Sequence, residues 1–162
     1  MMVSHVTRNR ITERVRQFFG GKPPRLQVAA LPWRHGATGV EVLLITSRDT
    51  GRWVLPKGWP EGREQLADTA LREAAEEAGL DGAIAASEIG SYFYGKMLPS
   101  GLERRCKVVV FPLEVDAMAR RWPERKERKR RWFAADEAAR LVREPDLGEL
   151  ITRFAGTLRG NA

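Results

Sequence analysis

One cysteine, two histidines and no long apolar run are the main absences in this chain. A lone Cys106 forms no intrachain disulfide and no thiolate metal cluster. His5 and His35 stand isolated and are assigned no role. No stretch approaches the ~18–20 apolar residues that span a bilayer, and nothing resembles the apolar segment of a secretory signal. A reducing cytoplasm is the expected compartment, with no membrane partner. There is also no internal repeat and no low-complexity linker. Against these absences stand 162 residues, 43% apolar and 30% charged, enough for one folded domain with a core. The net charge is +7, and much of it is local. Arg121 to Arg131 holds seven basic and two acidic residues. Such a cluster suits a polyanionic ligand, or a solvated strand edge laced with charge.

Periodicity divides the chain. Residues 4–19 predict a helix with Ile11, Val15, Phe18 and Phe19 on one stripe, Ser4 as its cap and Gly20-Gly21 at its end. Residues 1–24 are thus expected to be an accessory helix and linker packed on a domain at 25–162. Arg25 to Trp33 and Val40 to Ser47 predict two strands joined as a hairpin by HGATG. Arg52 to Leu55 predicts a short strand ending at Pro56. One or two strands are expected between Ala83 and Met97, and a central strand from Cys106 to Val115 that Pro112 interrupts. A further strand follows at 128–133. Two closing helices then run over 135–142 and from Leu147 to Leu158. One mixed sheet with helices on both faces, an α/β fold, accommodates all of these.

The densest pattern is Gly58 to Leu80, GWPEGREQLADTALREAAEEAGL. Its second half predicts an amphipathic helix with Leu66, Ala67, Ala70, Leu71, Ala74, Ala75 and Ala78 on one arc. Glu73, Glu76 and Glu77 stand just outside that arc. Exposed and uncompensated, Glu73 and Glu77 would repel by roughly 0.2–0.5 kcal/mol. Either a solvated face neutralised by Arg72 and Arg63, or ligation of a hard cation, answers that repulsion. The spacing extends beyond the helix: Gly58, Glu64, Arg72-Glu73, Glu76-Glu77, Gly79 and a following aliphatic. Seven fixed residues at roughly 7% usage each would coincide by chance about once in 10⁸ start positions.

This pattern resembles the Nudix box without a departure. The flanking runs VLLITSRDTGRWVLPKGWPEG (42–62) and RKRRWFAADEAARLV (128–142) are similar to the diphosphoinositol polyphosphate and diadenosine polyphosphate phosphohydrolases. Where some of those relatives carry a glycine triplet, this chain has Lys57-Gly58-Trp59. The resemblance implies an α/β/α sandwich and hydrolysis of a diphosphate linked to another moiety, with Mg²⁺ or Mn²⁺ as cofactor. It implies Glu73, Glu77 and the Gly58 carbonyl as metal ligands. Glu76 would be the base or a ligand to a second ion, with Glu103 and Glu124 as alternative bases. Arg72 and Glu64 would brace the site.

Cations expected to meet substrate phosphates are Arg48, Arg52 and Lys57 around the box, then Arg104, Arg105, Lys107 and Lys129 further on. On a strand, Arg105 and Lys107 share a face that Arg104 does not. Trp59, Tyr92 and Tyr94 suit either base stacking or the core. The substrate is expected to be a polyphosphorylated small molecule, a diadenosine polyphosphate or a diphosphoinositol polyphosphate. Alternatives are removal of pyrophosphate from RNA 5′ ends and a non-catalytic nucleotide- or RNA-binding regulator. Nucleic acid is therefore a possible partner, but not the favoured one.

Overall fold

The computed structural model describes residues 5–18 and 21–160. Helix α1 (His5–Phe18) precedes strands β1 (Arg25–Gly36), β2 (Gly39–Thr46), β3 (Trp53–Val54) and β4 (Lys57–Gly58). Helix α2 (Leu66–Ala78) leads to β5 (Leu80–Ile84), β6 (Gly90–Met97), β7 (Glu103–Met118) and β8 (Arg130–Ala134). Helices α3 (Ala135–Leu141) and α4 (Pro145–Arg159) follow. Among the described residues the eight strands form one mixed sheet around the order β3-β2-β1-β7-β5, with β4 on β1, β6 on β7 and β8 on β2. β1 and β7 run parallel, and the other pairs are antiparallel.

Alternation along the central strands builds two cores. Ala29, Leu31, Val42, Leu44, Val108 and Val110 pack toward α3 and α4, where Leu147, Leu150 and Ile151 meet them. Val28, Ala30, Leu43, Ile45, Val109 and Phe111 pack toward α2. The expected sandwich, with helices on both faces, is the observed one. No helix among the described residues is long and apolar enough to cross a membrane.

Three expectations need correction. Pro112 does not interrupt β7, which continues to Met118. A strand residue's N–H and C=O point to the same side, and the Pro112 carbonyl accepts from Ala85 N. The missing N–H therefore falls where β7 changes partner from β6 to β5 and no ladder bond is lost. The α1 stripe is also reversed: Ile11 and Val15 are 54% and 51% exposed, while Glu13 is buried. Polar contacts dock this helix, Asn9 Nδ2 to Asp146 Oδ2 at 2.9 Å and Arg105 Nε to Glu13 Oε2 at 3.0 Å. Ser4, Phe19 and Gly20, and the side chains of His5 and Phe18, lie outside the described residues. In α2, Ala75 is exposed and Glu73 is buried instead.

Gly79 ends α2 in the left-handed conformation, φ 65°, with its N–H on the Ala75 carbonyl at 3.0 Å. A Cβ there would lie 2.9 Å from the Trp122 ring and 3.0 Å from Arg130. Gly62 is also left-handed, φ 53°, but faces open space. Gly62→Ala should cost about 1–2 kcal/mol from backbone conformation alone, or roughly 2–8 °C in Tm. Gly79→Ala should cost clearly more. Thermal unfolding of both variants checks this, and equal losses would show that Trp122 and Arg130 give way freely.

Candidate active site

Helix α2 closes on β4 because residue 58 is glycine. Gly58 pairs with Val28 on β1, and any Cβ there would overlap the Glu73 carboxylate. The three small residues Ala70, Ala74 and Ala78, all fully buried, let the helix lie close on the sheet. Arg72 then becomes a hub. Its Nε donates to Glu64 Oε1 at 3.0 Å, Nη1 to Glu73 Oε1 at 2.8 Å and to Glu76 Oε2 at 3.4 Å. Nη2 donates to the Trp59 carbonyl at 3.0 Å and Glu64 Oε2 at 3.2 Å. Glu64 Oε2 also accepts from Thr69 Oγ1 at 2.8 Å. This contact with Arg72 pulls the Glu64 carboxyl down to about 2, and Glu64 in turn raises Arg72.

Glu77 is held separately. Its carboxylate accepts from Lys57 N at 3.1 Å and Arg128 Nη2 at 2.7 Å. Arg128 also bonds Glu124 at 2.6 Å and the Thr46 carbonyl at 3.2 Å. Burial pushes Glu77 up to about 7 despite Arg128 and Lys57, and burial raises Glu73 despite Arg72. Burial likewise lowers Lys57, against the pull of Glu77. The last carbonyls of α2 are capped by the segment between β7 and β8 and by the first residue of β8. Glu124 N meets Glu76 O, Trp122 Nε1 meets Glu77 O, and Arg130 meets Ala78 O. The repulsion expected among the glutamates is thus met by Arg72 and Arg128.

Glu73, Glu77 and Gly58 open into a cavity of about 440 Å³ that Glu124 and Arg128 also line. Two larger depressions, one beside α1 and one between α3 and α4, contain no box residue. Residues 23–154 match the NUDIX domain family. The chain belongs to the Nudix family. Nudix hydrolase 21, chloroplastic, of Arabidopsis thaliana is 34% identical to it over 138 residues, 80% of this chain and 66% of that protein. Diphosphoinositol polyphosphate phosphohydrolase 3-alpha of Mus musculus is 32% identical over 108 residues, 63% of this chain and 60% of that protein. The chain thus spans about two thirds or less of the length of these relatives. A C. elegans Ap4A hydrolase in a binary complex shares the fold with a TM-score of 0.63 at 21% identity, over 84% of this chain and 98% of that one.

Within this Nudix fold the expected residues divide by place. Arg48, Arg52 and Lys57 line the cavity with the box carboxylates. Arg48 is engaged by Glu124 at 3.4 Å and Glu127 at 3.2 Å, and Arg52 by Glu144 at 2.8 Å. Glu76, 47% exposed, and the Arg72 and Glu64 that brace α2 stand outside the cavity lining. So do Arg104, Arg105, Lys107 and Lys129. Arg105 pairs with Glu13 on α1, and Lys107 lines the depression beside α1. Glu103 lies against Gly95. Tyr92 is core, whereas Trp59 and Tyr94 line the cavity. The basic cluster is partly internal, since Arg128 and Arg130 serve α2. Three cavity cations were not anticipated: Lys96, Arg128 and Arg143. Arg128 stood in a visible basic run, but nothing local marked it as the residue that turns inward.

The Glu64–Arg72 contact has a signed pH dependence. Because the folded Glu64 carboxyl titrates near 2, its stabilisation is complete above the unfolded value of about 4.3 and is lost as pH falls toward 2. Glu64→Gln should therefore cost about 1–3 kcal/mol at pH 7, with the difference from the parent protein shrinking below pH 4. Urea denaturation of both proteins at pH 7 and pH 3 measures it. A difference that does not change with pH would remove the charged pair from the account.

Proposed function

We propose that this chain hydrolyses a pyrophosphate bond in a heavily phosphorylated small molecule, using a divalent cation. The observation that carries the reading is one cavity in which Glu73, Glu77 and Gly58 face Lys57, Arg48 and Arg52. The donor set suits the ion. Among the described residues no three His, Cys, Asp or Glu side chains converge as a metal cluster. Mg²⁺ is commonly bound through only one or two carboxylates while keeping several waters. Glu73, Glu77 and the Gly58 carbonyl would hold Mg²⁺ or Mn²⁺, whose charge would offset that gathering on the leaving phosphate.

The chain's own residues supply the rest. Lys57, with Arg48 and Arg52 once released from their carboxylates, binds phosphate oxygens and orients the anhydride. A water oxygen forms a bond to phosphorus, the bridging P–O bond breaks, and the water's proton passes to a carboxylate. Glu76, braced by Arg72, is the proposed acceptor. Glu124 is its rival, because it lines the cavity between Arg48 and Arg128. Diadenosine polyphosphates and diphosphoinositol polyphosphates are the proposed substrates, supported by the names of the mouse relative and the nematode structure. The RNA 5′-end reading loses support because Arg128 and Arg130, within the basic cluster, are spent on α2.

A panel with Mg²⁺ tests the reading: dinucleoside polyphosphates, diphosphoinositol phosphates, 5′-triphosphate RNA, ADP-ribose and nucleoside triphosphates, with products separated by chromatography. Turnover confined to RNA, or absent throughout, would overturn it. Glu73→Gln and Glu77→Gln should abolish turnover with the fold retained by circular dichroism. Whichever of Glu76→Gln and Glu124→Gln lowers kcat by ~10²–10⁴ identifies the base. Lys57→Ala should lower kcat/KM roughly 10–150-fold by removing a charge-assisted phosphate contact.

A further inference from the structure

Helix α1 lies outside residues 23–154, which match the family, and neither core draws a described residue from it. Its two inward polar side chains converge on one residue of β6. Asn9 Nδ2 donates to Asp146 Oδ2 at 2.9 Å, and the same oxygen accepts from Phe93 N at 3.0 Å. Glu13 Oε2 accepts from Arg105 Nε at 3.0 Å, and the Arg105 guanidinium lies 5.2 Å from the centre of the Phe93 ring. One contact thus reaches the Phe93 backbone and the other its side chain. Among the described residues β6 pairs only with β7, so no strand covers its outer edge. Helices α1 and α4 lie against β6 instead. Phe93 is followed directly by Tyr94, Gly95, Lys96 and Met97, all of which line the cavity that holds Glu73 and Glu77. Packing alone does not account for this orientation of α1. An amphipathic helix that only covers a core turns its apolar side chains inward. Here Ile11 and Val15 are exposed, whereas Glu13 is buried and its Oε1 has no hydrogen-bond partner among the described residues. A buried oxygen left without a donor costs stability.

We propose that Asn9 and Glu13 are positioning residues: they clamp α1 onto Phe93 and so set the place of the cavity wall formed by residues 94–97. The inference rests on the pyrophosphohydrolase reading for its effect on turnover, though not for the clamp itself. Release of α1 lets this wall move away from a bound substrate. Glu73 and Glu77 stay where Arg72 and Arg128 hold them. Substrate affinity therefore falls, while the chemical step is largely kept.

The test uses the full chain with Asn9→Ala, Glu13→Ala, the double variant and Glu13→Gln. Ile11→Ser and Val15→Ser, on the outward face of α1, are the controls. In Asn9→Ala and Glu13→Ala, hydrogen exchange read by mass spectrometry should rise about tenfold or more in α1 and in residues 93–97, with α2 unchanged. On the substrate that the panel identifies, kcat/KM should fall about fivefold or more through KM, with kcat within about twofold of the parent. The double variant should lose little more than the worse single one, because both changes release the same helix. Glu13→Gln keeps an acceptor for Arg105 and should stay near the parent, as should both controls. No rise in exchange at 93–97, a loss carried by kcat, or equal losses in the controls would overturn the proposal. Faster exchange at 93–97 in variants of a protein that turns over no member of the panel keeps the clamp and discards the pyrophosphohydrolase reading.

Discussion

The guanidinium of Arg72 is the contact on which the site depends. An arginine carries five N–H donors in a fixed plane, and here they reach Glu64 twice, Glu73, Glu76 and the Trp59 carbonyl. One side chain therefore joins the loop before α2, the helix itself and the chain leaving β4. Lysine has no planar fork and could not satisfy these acceptors together. Without this cation, Glu73 would be a buried carboxylate with desolvation and the charges of Glu76 and Glu124 against it, and a buried unpaired charge is strongly destabilising. The close approach of α2 to Gly58 is possible because that charge is met.

The other end of α2 shows the same economy in a different currency of contacts. A helix leaves its last carbonyls without partners, and those of a buried helix must be met by other groups. The segment between β7 and β8 meets them through backbone and indole donors and the start of β8 through the Arg130 guanidinium, while Arg128 from that segment reaches the Glu77 side chain. The basic run serves two purposes at once. It fixes the height and rotation of the helix that carries the acidic residues, and it neutralises one of those residues.

This division explains what the sequence disclosed. The α2 helix, its Gly79 end and the longer strands were visible because each is dictated by residues within a few positions of one another. The box residues were visible because one short strand, one helix with its Gly79 cap and the loop that joins them carry them all. Pairings across the chain were not visible, because nothing in a local window records them. Arg105 has the composition of a phosphate ligand yet meets Glu13, 92 positions away. Lys96 and Arg143 have no local signature and enter the cavity only because β6 and the α3–α4 connection converge there. The α1 stripe misled for the same reason: periodicity reports that a helix is amphipathic, and buried polar contacts at Asn9 and Glu13 decided which face turns inward.

The arrangement also bears on how a dense acidic cluster is tolerated. Glu73 and Glu77 do not share a partner: Arg72 holds the first and Arg128 the second. The two carboxylates are thus kept near one cavity by separate cations, without depending on an ion between them. The helix and the cavity wall can then form with both carboxylates already positioned. The cations that perform this service are not free for phosphate, and neither are Arg48 and Arg52 while Glu124, Glu127 and Glu144 hold them. Substrate must either displace those carboxylates or use the unpaired cations. Exchange of a carboxylate for a phosphate on the same guanidinium conserves a charge-assisted bond and yields little net energy. A cation with no carboxylate partner gains such a bond outright. For an anionic ligand of this cavity the unpaired side chains therefore offer the larger gain, however many paired arginines the cavity displays.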